Sequence, residues 1–306
     1  MSCISIVGAA AVYDWAYTVD ALPRFGDIVF IDQPCQKPLF GGCAINMAVG
    51  FARLGGFTPR LFYPVGNDFC YPPGQNPFEQ QGVDCRQLVH VPDVPSGFAH
   101  LYMQPDGTTM CFAYPGASAV ARYRQPAQLD DWVIVTPVLG DFCIDLLEQA
   151  VQQGKKVVFS GITGPALLSW LPAAAALFLN SHELDLLMQA GGFSGPAQLQ
   201  AQYPDLLLFV TDGARGSTVW QQGFDTPVPV ARPQQVTEST GAGDSFATGT
   251  VHALMRGSDP VTAAHFGAVV ASFVVEQLGG QTGLPSAAIA RDRFAQQFSH
   301  LLPRLH

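Results

Sequence analysis

An acidic residue directly after a run of small residues is the strongest chemical signal in the chain. Asp244 follows three residues whose backbone N–H groups a ligand can approach closely: Gly241, Ala242 and Gly243. Apolar residues at helical spacing come next, which predicts that the run opens a helix. A helix N-terminus suits a phosphate, and a carboxylate in its first turn could take a proton from a hydroxyl. From this stretch alone, an ordinary glycine-rich turn remains the alternative.

A second glycine-rich cluster lies near the N-terminus. Gly41 and Gly42 precede a segment with small and apolar residues at helical spacing, and Asn46 lies about one turn into it. Glycines let a ligand approach the backbone, and an amide offers both a donor and an acceptor. A polyol needs such a mixed partner, although a glycine-rich loop with an ordinary Asn explains this cluster equally well when it is taken alone.

Two shorter motifs lie between these clusters, each just after an apolar segment that predicts a buried strand. Asn180 and Glu183 follow the segment 176–179. Thr211, Gly213 and Gly216 form a Thr-x-Gly-x-x-Gly turn after the segment 206–211. Both motifs therefore lie where a strand ends.

In this order, the four motifs resemble the signatures of the PfkB, or ribokinase-like, carbohydrate kinase family. The clusters 41–48 and 240–249 resemble the first and second family signatures, and the two shorter motifs resemble elements that lie between them. The resemblance extends over about residues 4–285. Each motif is modest alone, but four in the family's order are hard to explain by chance.

The resemblance implies one α/β domain over residues 1–306, a ribokinase-like three-layer α/β/α fold with a mainly parallel central sheet and a small β-sheet lid. The sequence agrees, because strand and helix patterns alternate through the C-terminal half. The segments 12–38 and 94–115 break this alternation, and we expect them to form the lid. Within them we expect a strand at 27–31 and a hairpin turn at 105–108.

The resemblance also implies ATP-dependent phosphorylation of a sugar hydroxyl. Asp244 would be the catalytic base, and the N–H groups of the 241–243 run would form an anion hole for the γ-phosphate. Glu183 would hold Mg²⁺, directly or through water. The sugar would bind to Asp14, Gly42 and Asn46. ATP would bind to Asn180, Thr211, Gly213 and Gly216.

Departures from the family pattern bear on the cation and the substrate. Glu238 stands where the family usually has an Asp that helps bind a monovalent cation, so K⁺ remains an open cofactor at this position. Ribokinases place a Glu after the strand read at 132–135, but Thr136 and Pro137 follow here, which argues against ribose itself. Basic residues that could meet a phosphorylated sugar are sparse: Arg24, Lys37 and Arg60. An unphosphorylated sugar is therefore favoured.

Two alternatives stay open. A nucleoside kinase on the same fold would share the chemistry, and aromatic residues near the sugar pocket would favour it: Trp15, Phe98 and Tyr102. A non-catalytic sugar or nucleotide sensor would share the fold, although the intact Asp244 motif argues against it.

Composition limits the partners. The chain has 306 residues, 48% hydrophobic and 13% charged, with a formal net charge of −9, so neither nucleic acid nor an anionic membrane is an expected partner. Its seven cysteines form no CxxC pair, which is typical of reduced thiols in the cytoplasm. The N-terminus lacks the pattern of a signal peptide, and no apolar run reaches membrane-spanning length. Apolar residues within 27–31 favour a homodimer through the lid.

Overall fold

The computed structural model of the chain describes residues 2–31, 37–72, 74–104 and 109–306. The strands are β1 (Ser2–Gly8), β2 (Ala11–Thr18), β3 (Leu39–Phe40), β4 (Phe57–Val65), β5 (Asp84–His90), β6 (Gly97–Met103), β7 (Thr109–Tyr114), β8 (Trp132–Thr136), β9 (Lys156–Ser160), β10 (Ala174–Asn180), β11 (Leu207–Thr211), β12 (Ser217–Gln221) and β13 (Phe224–Val228). The helices are α1 (Cys43–Leu54), α2 (Asp141–Gln152), α3 (Pro165–Leu168), α4 (Ser181–Gly191), α5 (Pro196–Gln202), α6 (Ala242–Met255), α7 (Pro260–Val274) and α8 (Ala287–Gln297).

The central sheet has the order β13-β12-β11-β10-β9-β8-β1-β4-β5. The strands from β11 to β5 in this order run parallel, and β12 and β13 join one edge antiparallel. Parallel strands are buried on both faces, and alternate residues of β1 show this: Ile6 packs into the core shared with α1, α6 and α7, whereas Val7 packs into the core shared with α2. The predicted α/β/α class with a mainly parallel sheet is confirmed.

Four strands form a second, smaller sheet in the order β3-β2-β6-β7. The strands β6 and β7 pair antiparallel as predicted, and the turn expected at 105–108 lies outside the described residues. The strand expected at 27–31 is wrong, because the backbone there is irregular. Ile28 and Phe30 have β-forming side chains but are 84% and 83% exposed, and β-propensity makes no strand without a partner.

The helix that carries the Asp244 motif packs unusually closely against its neighbour. A Cβ atom added to Gly249 of α6 would lie 2.9 Å from the Cα of Gly267 in α7. A Cβ atom on Gly267 would in turn lie 2.5 Å from the carbonyl oxygen of Phe246. These glycines let the two helix backbones touch, so α6 is held firmly against the body of the protein.

Candidate active site

Asp244 and Asn46, predicted from separate motifs, meet at the carboxyl end of the central sheet. Asn46 Nδ2, in α1, donates a hydrogen bond of 2.9 Å to Asp244 Oδ2, in the first turn of α6. The Cys43 thiol also hydrogen-bonds to this carboxylate. Burial raises the pKa of Asp244 above its usual value, while the bonds from Asn46 and Cys43 oppose that rise. The predicted base is therefore oriented by two donors from the other glycine-rich cluster.

A left-handed residue opens the helix below this carboxylate. Gly241, the N-cap residue of α6, has φ +75°, and a Cβ atom there would lie 2.5 Å from the Cα of Gly280. Only glycine meets both demands. The Ala242 N–H donates to Ser239 O at 3.1 Å, whereas those of Gly241 and Gly243 have no hydrogen-bond partner among the described residues. Two of the three predicted anion-hole groups are thus available to a ligand.

Asp14 reaches the same recess from the smaller sheet, which we call the lid. It lies in β2, pairs with Leu39 of β3 and is only 9% exposed. A Cβ atom on Gly41 would lie 1.7 Å from Asp14 Oδ2, so the carboxylate occupies the space that a side chain at residue 41 would need. Burial, followed by the negative charges of Asp244 and Glu238, raises the pKa of Asp14 to about 7.

The sugar binding predicted for Asp14 should therefore depend on pH near neutrality. A protonated carboxyl cannot accept from two hydroxyls, so we expect the acceptor's dissociation constant, measured by calorimetry without ATP, to fall as pH rises through about 7. The folded pKa of Asp14 lies above the unfolded one, so its contribution to the free energy of unfolding is full below about pH 4 and is lost as pH rises through 7.

Two variants separate the groups that titrate in this recess. In Asp14→Asn the inflection in acceptor binding should disappear. In Asp244→Asn it should persist but move to lower pH, because one of the charges that raises the pKa of Asp14 is gone. An unchanged inflection in Asp14→Asn would assign the titration to another group.

The Asn46 amide is also fixed from its other side. Gln281 Nε2 donates to Asn46 Oδ1 at 3.0 Å and to the carbonyl oxygen of Phe40 at 3.0 Å. Sequence reasoning missed Gln281 and Cys43. The one signal for Gln281 is its place in the glycine-rich stretch 279–283, and nothing in its residue type indicates a role.

Glu238, the doubtful monovalent-cation ligand of the sequence analysis, is hydrogen-bonded within the protein. It is 6% exposed, its Oε1 accepts the Gly279 N–H, and its Oε2 accepts the Thr240 hydroxyl at 3.1 Å. The longer Glu side chain thus reaches the 279–283 stretch itself. Both oxygens already have protein donors, and burial raises the pKa of this carboxyl above its usual value.

The predicted nucleotide residues gather at the ends of two neighbouring strands. Asn180, at the end of β10, pairs in register with Thr211 of β11. The turn after β11 contains Gly213 with φ +53° and Gly216 with φ +96°. A Cβ atom on Gly216 would lie 2.4 Å from Val228 O, so this turn requires glycine. The carboxyl ends of parallel strands are the usual ligand site of such sheets.

Asn180 and Glu183 form a capping box at the start of α4. Asn180 Oδ1 accepts the Glu183 N–H, and Glu183 Oε2 accepts the Asn180 N–H, both at 2.8 Å. Glu183 Oε1 has no hydrogen-bond partner within the described ranges. These ranges also contain no group of three His, Cys, Asp or Glu side chains that could hold a metal. One free carboxylate oxygen fits Mg²⁺, which keeps several waters and takes phosphate oxygens as ligands.

The three aromatic residues proposed for a base pocket lie on the wrong face of the lid. Trp15 follows Asp14 directly in β2, so its side chain points to the opposite face. It stacks on His100 at 6.4 Å between ring centroids, and Tyr102 stacks on Tyr17 at 5.2 Å. Phe98 pairs in register with Tyr13 and shares this outer face. The prediction that these rings keep a base pocket aromatic is therefore wrong.

Arg60, one of the three basic residues considered as phosphate contacts, offers little to a phosphorylated sugar. Arg60 lies in β4 and forms ion pairs with Asp84 at 3.6 Å and Asp130 at 3.3 Å, so its charge is already balanced.

None of the described helices is long and apolar enough to span a membrane.

Fold and site together define a kinase of sugars or nucleosides: a recess at the carboxyl ends of parallel strands, an oriented carboxylate beside free N–H groups, and a β-sheet lid. Residues 1–287 match the family described as pfkB family carbohydrate kinase, and the chain belongs to that family. It is therefore a phosphotransferase that uses ATP.

Full-length relatives include both nucleoside kinases and ribokinases. The chain is 27% identical to the nucleoside kinase of Methanocaldococcus jannaschii over 293 residues, 94% of each chain, and that protein's crystal structure superposes with a TM-score of 0.84 over 97% of this chain and 99% of that one. It is 29% identical to the nucleoside kinase of Methanothermobacter thermautotrophicus, over 95% of each. It is 25% identical to the ribokinase of Bacillus subtilis, over 94% and 97%.

Proposed function

We propose that this protein transfers the γ-phosphoryl group of ATP to a hydroxyl of a nucleoside's ribosyl group. The observation that carries the chemistry is the 2.9 Å bond from Asn46 to Asp244. It joins the glycine-rich cluster around Asn46 to a carboxylate in the first turn of α6, where backbone N–H groups are free. The two nucleoside kinases among the full-length relatives support the choice of acceptor over the free sugar that the sequence alone favoured.

In this proposal each residue has one role. Asp14 accepts hydrogen bonds from hydroxyls that do not react, and Asn46 helps to place the acceptor beside Asp244. The attacking oxygen bonds to the γ-phosphorus, its proton passes to Asp244, and the bond from the γ-phosphorus to the bridging oxygen breaks to release ADP. The free N–H groups of Gly241 and Gly243 stabilise the charge on the transferring group. Mg²⁺ held through Glu183 would screen the phosphates when bound.

A free pentose is the second candidate acceptor. The aromatic rings of the lid lie on the face away from Asp14, so they offer a nucleobase no stacking surface. The full-length similarity to a ribokinase points the same way. A phosphorylated sugar is disfavoured, because Arg60 is already paired with two carboxylates.

One assay tests the acceptor and the cation together. ADP release from Mg-ATP would be measured with nucleosides, free pentoses and hexoses, and sugar phosphates, each in KCl and in choline chloride. We expect the highest kcat/KM with a nucleoside, and equal rates in both salts because Glu238 already has protein donors. A higher kcat/KM with a free pentose would favour the second candidate. No ADP above background with any acceptor would contradict the proposal.

We also propose that the enzyme works in the cytoplasm, where ATP is supplied.

We further propose that two copies associate through the lid. Phe25 is fully exposed, and Ile28 and Phe30 are almost so, which is unusual for apolar side chains so close in sequence. Light scattering should give a dimer mass, and Phe30→Asp should give a monomer. A monomer mass for the unaltered protein would remove this proposal.

A further inference from the structure

The chain passes from the central sheet into the lid in a very short crossing. The strand β1 ends at Gly8 and β2 begins at Ala11, so only Ala9 and Ala10 join the two sheets here. Asp14 lies four residues after Ala10, in the lid strand β2 that the crossing enters. The conformation of this crossing therefore helps to set where the Asp14 carboxylate stands above the body of the protein.

One buried hydroxyl is hydrogen-bonded both to the crossing and to the first residue of the lid strand. Tyr63, in strand β4 of the larger sheet, is fully buried. Its Oη accepts the Ala10 N–H at 2.9 Å and donates to Ala11 O at 2.9 Å. The remaining polar group of Ala10, its carbonyl oxygen, accepts the Ser118 hydroxyl at 3.1 Å. The crossing is thus bonded to the body through side chains, and Tyr63 bonds to the two peptide groups that flank the Ala10–Ala11 peptide bond.

Two glycines make room for the Tyr63 ring and for the lid strand. A Cβ atom on Gly8 would lie 3.1 Å from Tyr63 Cε2, and one on Gly42 would lie 3.1 Å from Tyr63 Oη. The Gly42 atom would also lie 2.1 Å from Ala11 O. Gly42 is the N-cap residue of α1, the helix that carries Asn46. The Tyr63 hydroxyl therefore lies where the lid strand β2 touches the start of α1.

We propose that Tyr63 is a positioning residue that sets the Asp14 carboxylate in register with Asn46 and Asp244, and so determines how tightly the acceptor binds. The inference rests on the proposed function, in which Asp14 binds the acceptor. Burial raises the pKa of Tyr63 well above its usual value, so the hydroxyl keeps its proton and donates to Ala11 O throughout the working pH range. The titratable groups that act on this hydroxyl are Cys43, Cys143 and Asp14.

The test is Tyr63→Phe, which keeps the ring and removes only the hydroxyl. The chain offers a matched control in Tyr123→Phe. Tyr123 is also buried, and its hydroxyl likewise donates one hydrogen bond, to Gln87 at 2.7 Å, and accepts one, from Gln125 at 3.3 Å. Each variant loses one accepted and one donated hydrogen bond of a buried tyrosine, but only Tyr63→Phe loses bonds to the backbone of the crossing.

We expect Tyr63→Phe to raise KM for the acceptor about tenfold while kcat and KM for ATP change less than about twofold, because Asp14 binds hydroxyls that do not react. Tyr123→Phe should leave all three constants unchanged. Hydrogen exchange, which needs no substrate, should quicken at the Ala10 amide in Tyr63→Phe only. A Tyr63→Phe protein with faster exchange and unchanged acceptor KM would overturn the inference. Unchanged exchange at the Ala10 amide would show that the Tyr63 hydroxyl does not hold the crossing in place. Absence of any accepted substrate would instead count against the proposed function.

Discussion

Asp244→Asn is expected to lower kcat by about 10²- to 10⁴-fold, the usual contribution of a positioned general base. Asn has nearly the same shape, and the recess that contains Asn46 and Cys43 would remain filled. The amide cannot take the proton from the attacking hydroxyl. Acceptor binding should persist, because Asp14 and Asn46 remain, and steady-state kinetics with calorimetry would separate the two effects.

Asp259→Asn is the matched control. Asp259 caps the N-terminus of α7 by accepting the N–H groups of Val261 and Thr262, and Asn caps a helix equally well. This variant changes the same charge at a similar position in the next helix, so its kcat should stay close to that of the unaltered protein. If Asp244→Asn kept more than about a tenth of the original kcat, the assignment of Asp244 as the base would be wrong.

Gly241→Ala is expected to lower kcat/KM for ATP by about 10²-fold, as displacements of about 1 Å in an active site do. The new Cβ atom would lie 2.5 Å from the Cα of Gly280 while φ is +75°, so the backbone at the start of α6 must move. The free N–H groups of residues 241 and 243 would then no longer point where the transferring phosphoryl group passes. Coupled-assay kinetics at saturating acceptor would measure the loss.

Gly154→Ala controls for the backbone strain alone. Gly154 also has a positive φ, +65°, but a Cβ atom there meets nothing within 4 Å, and the residue follows α2. This variant should lose about 1 kcal/mol of stability, as a non-glycine residue does in this region, with its kinetics intact. Equal kinetics in the two variants would show that the geometry of residue 241 does not matter for phosphoryl transfer.

The fold class was predictable from the sequence because its evidence is local. Alternating strand and helix patterns indicate a parallel sheet, and the motif order indicated where ligands bind. Asp244 and Asn46 could be predicted as candidate site residues because glycines at a helix start lie beside each of them in the sequence. The strand expected at 27–31 failed for the opposite reason, since a strand exists only with a partner that local sequence does not reveal.

The contacts of the site depend on tertiary structure, and the sequence predicted few of them. Gln281 orients Asn46 from a distant part of the chain, and the Glu238 carboxylate accepts the Gly279 N–H. The error over Trp15 was avoidable, because adjacent residues in a strand point to opposite faces. Because Asp14 was expected to point into the recess, its neighbour Trp15 had to point away from it.

That outward-facing indole gives the lid an optical signal of its own. Trp15 is one of four tryptophans, and the other three, Trp132, Trp170 and Trp220, lie outside the lid sheet. It stacks on the His100 imidazole, with 6.4 Å between the ring centroids. A protein that retains Trp15 alone would therefore report, through its fluorescence, on the surroundings of the outer face of the lid sheet.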